Sequence, residues 1–313
     1  MKREQYGKAR IVLVAVIDEE FDAVQRLGQL TSRCAATGYY ARQASPSKEY
    51  DLVLCRADGW GNLASGEAVA EAIEDFRPSY ILLVGVAGGI VRSGDNDPIR
   101  LGDVVVADYL HYSELKKLVE EGMAYRYKAH DHPSLHLRLS FAEPLRKDAN
   151  RWIGRIQAKP PSATTPVARI GNLVTGETLL GNPKHPYQQD ILSDYYTATA
   201  VDMESMGVGR EIFKQRRDPY YNPQFLVIRG VSDEVHALTY GRSWFSRVLS
   251  SLRFRAGFRQ VASAATNQAM RDAWRVYAAE AAAAFALTLV DDLLDSIGSL
   301  VPPGVAAPEA HPR

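Results

Sequence analysis

Three neighbouring stretches decide the fold: "YDLVLCRA" (50–57), "SGEAVAEAIEDF" (65–76) and "YILLVGVA" (80–87). The first and third are apolar nearly without interruption and carry β-branched residues. Such runs belong to strands that are covered on both faces. The middle stretch places its apolar residues at helical spacing, so the three read as strand, helix and strand. The same alternation continues on either side. "IVLVAVI" (11–17) precedes a helix-like stretch at 19–29. "DVVVADYL" (103–110), "PVARIGNLVTG" (166–176), "ATAVDME" (198–204) and "QFLVIRGVS" (224–232) follow. "WRVYAAEAAAAFALTLVDDLLDSI" (274–297) is an alanine-rich helix. This order predicts an α/β fold, with a mostly parallel central sheet flanked by helices in three layers. Residues 111–165 are more polar and are expected to hold loops and short elements. The ending "VPPGVAAPEAHPR", within 298–313, is expected to be a disordered tail.

Length and composition narrow the function classes. The chain has 313 residues, enough for one large α/β domain, here expected over residues 1–297. It carries 37 basic and 37 acidic residues, so nothing marks the whole as a nucleic-acid binder. The two cysteines, Cys34 and Cys55, stand at no metal-ligand spacing, which fits a reducing cytosol. The start, "MKREQYGKARIVLVAVIDEE", has an apolar run of only seven residues followed at once by acids. It reads as a first strand rather than a signal peptide. No apolar stretch reaches the length of a membrane span. The expectation is a cytoplasmic protein.

In such folds ligands sit at the carboxyl ends of the strands. Five short stretches fall there: "VIDEEF" (16–21), "GVAGGI" (85–90), "GNLVTGETLL" (171–180), "AVDMES" (200–205) and "RGVSDE" (229–234). Each alone is weak. "GVAGG" is neither a P-loop nor a dinucleotide fingerprint. "DEE" at 18–20 suits a helix start. Asp233 is placed just past the carboxyl end of its strand, where a loop acid is ordinary and a site acid is possible.

Taken in order, "GVAGG", "TGE", "DMES" and "RGVSDE" resemble the nucleoside phosphorylase and nucleosidase superfamily, nearest to its methylthioadenosine/S-adenosylhomocysteine nucleosidase branch. The resemblance covers about residues 9–237 and resumes at 274–290. It is discontinuous through 111–165 and breaks at 239–272. It implies a single three-layer domain with a mixed, mostly parallel sheet of the phosphorylase/hydrolase type. It also implies cleavage of the bond between ribose C1′ and a purine nitrogen. Asp233 is then the acid that protonates the base, and a carboxyl does this in a dry pocket. Glu20 matches the glutamate that activates water, and Glu204 the one that accepts hydrogen bonds from the 2′- and 3′-hydroxyls. Met203 would pack under the sugar, although ordinary core packing also explains a methionine. Arg229 matches an arginine near the water, and it reads equally as a structural ion-pair partner. Ala87, Gly88 and Ser232 are expected to line the site. The base would lie against Leu179 and Leu180. The resemblance implies no metal and no cofactor, and a homodimer or higher homo-oligomer.

Asp18, Glu19 and Glu20 stand where a phosphorylase keeps its phosphate site, and three acids repel phosphate. Hydrolysis of an adenine nucleoside or nucleotide is therefore the leading expectation. A phosphate-dependent phosphorylase and a nucleotide-binding sensor that no longer cuts are the alternatives. Three departures from the pattern bear on this. Leu179 and Leu180 replace a stacking aromatic. Val86 stands where many nucleosidases carry a serine. Residues 239–275 hold seven arginines (242, 247, 253, 255, 259, 271 and 275) against one acid, Asp272. Arginines suit a 5′-phosphate, for which Arg242 and Arg247 are the candidates. A subunit contact, a membrane-surface helix and a plain solvated helix remain open. "HDHPSLH" (130–136) is too loosely spaced for a metal site to be expected.

Overall fold

The computed structural model describes residues 8–34, 39–45, 49–92, 94–119, 122–125, 132–237 and 264–299. The expected strand–helix–strand units are present. Strand β1 (Lys8–Ala15) leads into helix α1 (Asp18–Leu27). Short strands β2 (Ser32–Cys34) and β3 (Tyr39–Ser45) come before β4 (Glu49–Arg56), helix α2 (Gly61–Phe76) and β5 (Tyr80–Arg92). Strand β6 (Val104–Tyr112) follows, and then a separate two-stranded pair, β7 (Lys116–Val119) and β8 (Gly122–Tyr125). Short helical segments occupy 135–153. Next come β9 (Ala168–Thr175), α3 (Pro186–Asp194), β10 (Ala198–Asp202), α4 (Ser205–Gln215), β11 (Gln224–Ala237) and the long helix α5 (Ala264–Ser299).

Nine strands form one mixed sheet in the order β10-β9-β6-β11-β5-β1-β4-β3-β2. The central pairs β4–β1, β1–β5 and β5–β11 are parallel, and β11–β6 is antiparallel. The uninterrupted apolar runs have the predicted cause. In β1, Val12 and Val14 enter one core while Ile11, Leu13 and Ala15 enter the other. Strands β5 and β11 divide in the same way, Ile81 and Leu83 against Leu82 and Val84, Phe225 and Val227 against Leu226 and Ile228. Helices α2 and α4 cover the first face. Helices α1 and α5 and the segments at 135–153 cover the second. Among the described residues no helix is long and apolar enough to cross a membrane.

The structure corrects three sequence readings. Asp233 does not lie beyond its strand, because β11 runs on to Ala237. Strand β5 likewise continues through "GGI" to Arg92, and the two stay paired to their ends. Helix α5 begins at Ala264 rather than 274, so residues 264–272 of the arginine-rich stretch are helical turns. Residues 238–263, with Arg242 and Arg247, and residues 300–313 of the expected tail lie outside the described residues. Strands β2 and β3, at the outer end of the sheet, escaped the sequence reading because neither carries an uninterrupted apolar run.

What bends the sheet is close contact at glycine. Strand β10, at one end of the sheet, turns back to pair with β5 through Ala200–Gly89 and Val201–Gly88. A β-carbon on Gly88 would collide with the side chains of Val235 and Val201, and one on Gly89 with Val231 and Ile99. Beside them β11 carries an irregularity between Val231 and Asp233, where the register against β5 shifts. A bulge re-aims side chains and sharpens the local twist. Helix α5 lies so close to β11 that a β-carbon on Gly230 would meet the backbone of Ala278.

Gly230→Ala therefore forces helix and strand apart. We expect a stability loss of about 1–3 kcal/mol and a melting temperature a few degrees lower by circular dichroism. Gly181→Ala, where a β-carbon would meet nothing within 4 Å, should leave the melting curve in place. Equal melting of the two variants would contradict this packing.

Candidate active site

The bent half of the sheet leaves a cavity of about 560 Å³, bounded by Glu20, Val86, Ala87, Gly88, Leu179, Leu180, Met203, Glu204, Ser232 and Asp233 among others. Of the ten site residues named from the sequence and described here, nine thus line one space. The tenth, Arg229, is fully buried directly beneath them.

Arg229 lies on β11 and organises three carboxylates. Its Nε donates to Asp202 Oδ2 at 2.8 Å, and its Nη2 reaches Asp202 Oδ2 at 2.6 Å and Glu204 Oε2 at 3.1 Å. Glu20 Oε1 stands 4.0 Å from Nη1. Burial alone pulls the pKa of the guanidinium down, and Asp202, Glu204 and Glu20 together outweigh that and raise it. Arg229 is thus a structural ion-pair hub, and one of the carboxylates beside it is that of Glu20. Asp202, the first acid of "DMES", is the partner that sequence reasoning passed over. Its signal was its place one residue before the matched Met203.

Glu20 is only 3% exposed. Its Oε2 accepts from the backbone N–H of Val16 (2.9 Å) and Ile17 (3.2 Å), and its Oε1 from Val86 N–H (2.8 Å). It therefore closes the first turn of α1 as well as facing the cavity. Burial pushes its carboxyl up, against Arg229 and these hydrogen bonds, which favour the charged form. The side chain of residue 86 takes no part in holding Glu20, because the contact comes from the Val86 backbone. Gly85 is required here: a β-carbon would run into Arg229 and the Glu20 carboxyl. Asp18 and Glu19 serve elsewhere, paired with Arg56 and with Arg275.

Glu204 precedes helix α4 at its N-cap position. Ser65 Oγ holds its backbone carbonyl at 2.8 Å. The carboxyl is pushed up to about 7, first by burial, with Asp202 and Glu20 adding to it and Arg229 opposing. Asp233 sits at the β11 irregularity. Ser232 Oγ donates to its Oδ1 at 2.9 Å, and Arg271 Nη2 donates to its Oδ2 at 2.8 Å. The second contact was not foreseen. Arg271 belongs to the early turns of α5, and it enters the cavity wall with Gln268 and Arg275. The rim is apolar: Trp60 is 77% exposed and Leu179 59%, whereas Leu180 is packed into a small core with Val174 and Ile191.

His130 and Asp131 of the histidine-rich stretch lie outside the described residues. Among the described residues no group of three or more His, Cys, Asp or Glu is placed to hold a metal ion.

A family model of the phosphorylase superfamily matches residues 11–210. The 5′-methylthioadenosine/S-adenosylhomocysteine nucleosidase of Marinomonas sp. (strain MWYL1) is 23% identical over 184 residues, 58% of this chain and 68% of the relative. That of Maridesulfovibrio salexigens is 23% identical over 229 residues, 72% of this chain and 87% of the relative. The futalosine hydrolase structure of Helicobacter pylori strain 26695 is similar with a TM-score of 0.62 at 16% identity, covering 91% of this chain and 98% of that one. At that identity the likeness is one of fold.

Glu204 makes stability depend on pH with a definite sign. Its ordinary value is 4.5, and in the folded chain it lies near 7. Between these values the native state keeps a proton that the unfolded chain has released. This contribution is whole below about 4.5 and is lost as pH rises through about 7. Glu204→Gln removes the titration. The melting temperature of Glu204→Gln minus that of the wild type should therefore grow from pH 5 to pH 8. A difference that stays flat or shrinks would show that Glu204 titrates normally.

Proposed function

The chain belongs to the phosphorylase superfamily, and from that premise we propose that it hydrolyses the N-glycosidic bond of an adenine nucleoside or nucleotide. The observation that carries this reading is the placement of three carboxyls, Asp233, Glu204 and Glu20, around one cavity. The resemblance assigns the same three to base, ribose and water. The relatives' name, 5′-methylthioadenosine/S-adenosylhomocysteine nucleosidase, points the same way.

In the proposed reaction the bond between C1′ and the purine nitrogen breaks, and its electron pair stays with the base. Protonated Asp233 gives its proton to N7, which makes the base a better leaving group. Ser232, bonded to the other oxygen, fixes the carboxyl's orientation. An exocyclic amino group can donate to the same carboxyl, which favours adenine over 6-oxopurines. The ribose becomes cation-like. Glu204 accepts from its 2′- and 3′-hydroxyls, and the acid cluster around Arg229 suits the growing positive charge. Water then attacks C1′, and Glu20 takes the proton that this water loses. Glu20 Oε1 accepts from one backbone N–H, so it keeps acceptor capacity toward the cavity. Met203 supports the sugar, Leu179 and Leu180 flank the base, and Ala87 and Gly88 form the wall behind it.

Hydrolysis is favoured over phosphorolysis because the position after the first strand is filled by a buried glutamate held by three backbone N–H groups. The reading also includes a cytoplasmic homodimer or higher homo-oligomer. The exposed apolar rim at Trp60 and Leu63 supports a subunit contact.

Incubation with adenosine, methylthioadenosine, S-adenosylhomocysteine, AMP and ATP, with and without phosphate, should release adenine and a free sugar product without phosphate. Asp233→Asn should lose roughly 10²–10⁴-fold in rate while keeping its circular dichroism spectrum, and it should melt lower than the wild type because Arg271 loses its anion. Full activity in that variant would remove Asp233 from its role. Adenine release only with phosphate, together with ribose 1-phosphate as the sugar product, would establish the phosphorylase, and no adenine from any substrate would favour a binding protein.

A further inference from the structure

The reading above requires Asp233 to hold a proton, yet Arg271 is paired to it. The Arg271 side chain is 11% exposed, and its other guanidine nitrogen donates to Gln268 Oε1 at 3.2 Å. Among the described residues, Asp233 is its one ion-pair partner. Once Asp233 is protonated or turned to a base, that guanidinium is a buried cation without an anion. An uncompensated buried charge is strongly unfavourable. The catalytically competent state therefore needs another negative group within reach of Arg271.

The substrate's own geometry says where that group would be. In a β-nucleoside the base and C5′ leave the sugar on the same face, and the 2′- and 3′-hydroxyls lie on the other. With the base at Asp233 and the hydroxyls at Glu204, the 5′ substituent runs along the wall that carries Arg271. Gln268, Arg271 and Arg275 are spaced three and four residues apart, so they share one face of α5, and all three line the cavity. Arg275 is held by Glu19 and Asp272, whose side chains are 33% and 54% exposed, so water can replace its hold on them.

Resting on the proposed nucleosidase activity, we propose that this wall is an anion subsite and that the substrate is an adenine nucleotide. The 5′-phosphate takes Arg271 from Asp233 and leaves the carboxyl free to receive and deliver its proton. A planar guanidinium matches two phosphate oxygens at once. A thioether offers Arg271 nothing in exchange for Asp233. Arg271 is thus a binding residue for the 5′ group and a positioning residue for the acid. The subsite is built from described helix residues; Arg242 and Arg247 lie outside the described residues.

The test compares AMP, adenosine and methylthioadenosine on the full-length wild type and on Arg271→Met and Arg271→Lys. A charge-assisted contact is worth about 1.5–3 kcal/mol, so wild-type kcat/KM should favour AMP by about tenfold or more over both nucleosides. Arg271→Met should lose that preference and gain on methylthioadenosine, and Arg271→Lys should keep part of it. Inorganic phosphate should speed adenosine cleavage by the wild type, with free ribose as product, and should have no effect on Arg271→Met. A wild type that prefers methylthioadenosine overturns the proposal without help from any variant. An AMP preference that survives in Arg271→Met overturns it as well. Should no substrate release adenine, the nucleosidase reading fails, and calorimetric binding then judges the subsite alone. Tighter binding of AMP than adenosine that vanishes in Arg271→Met sustains it, and equal binding sinks it.

Discussion

Arg229 is the residue on which the cavity depends. It is a fully buried cation on a central strand, and such a charge persists only when carboxylates surround it. Asp202 from the end of β10, Glu204 from the start of α4 and Glu20 from the first turn of α1 meet this need. Helix α1 is far in sequence from the β10–α4 junction and from β11, and one guanidinium ties the three together. Burial raises the carboxyls of both Glu20 and Glu204, with Asp202 and Glu20 adding to the rise at Glu204, and Arg229 opposes it at both. An arrangement that stabilises the fold thus also supplies carboxyls prepared for proton chemistry.

Backbone geometry accounts for the rest of the site. Strands β5 and β11 do not stop at the cavity; they pass through it and carry Ala87, Gly88, Ser232 and Asp233, while Glu20 comes from α1 and Glu204 from the start of α4. Glycines permit this. Gly85 leaves room for the Arg229–Glu20 contact, and Gly88 lets β10 fold back onto β5. The irregularity between Val231 and Asp233 then turns Ser232 and Asp233 into the space so formed. A site carried on strands and helix starts is more rigid than one on loops, which suits the proposed reaction, in which three carboxyls act on one bond.

Helix α5 has two parts. From Tyr277 to Val290 it is a continuous buried packing surface, rich in alanine so that it can lie close to the sheet at Gly230. Its earlier turns rise past that contact and bring Gln268, Arg271 and Arg275 over the cavity. The helix that closes the core thereby contributes the wall of the pocket.

Much of this was legible in the sequence. The strand–helix alternation followed from uninterrupted apolar runs, because strands covered on both faces have no polar side. The ordered short motifs identified the superfamily, and with it nine of the cavity residues and the buried Arg229. Less visible were features that depend on contact between distant segments. The outermost strands β2 and β3 carry no apolar run. The extension of β5 and β11 through their glycine and acid residues rests on mutual pairing, which no local pattern reports. Asp202 and Arg271 matter because of what they touch, at separations of 27 and 38 residues from their partners. The sequence by itself determined which residues could be buried and which chemical groups were present. Only the tertiary structure decided which charges face one another, because a buried charge takes its character from neighbours that the chain brings together by folding.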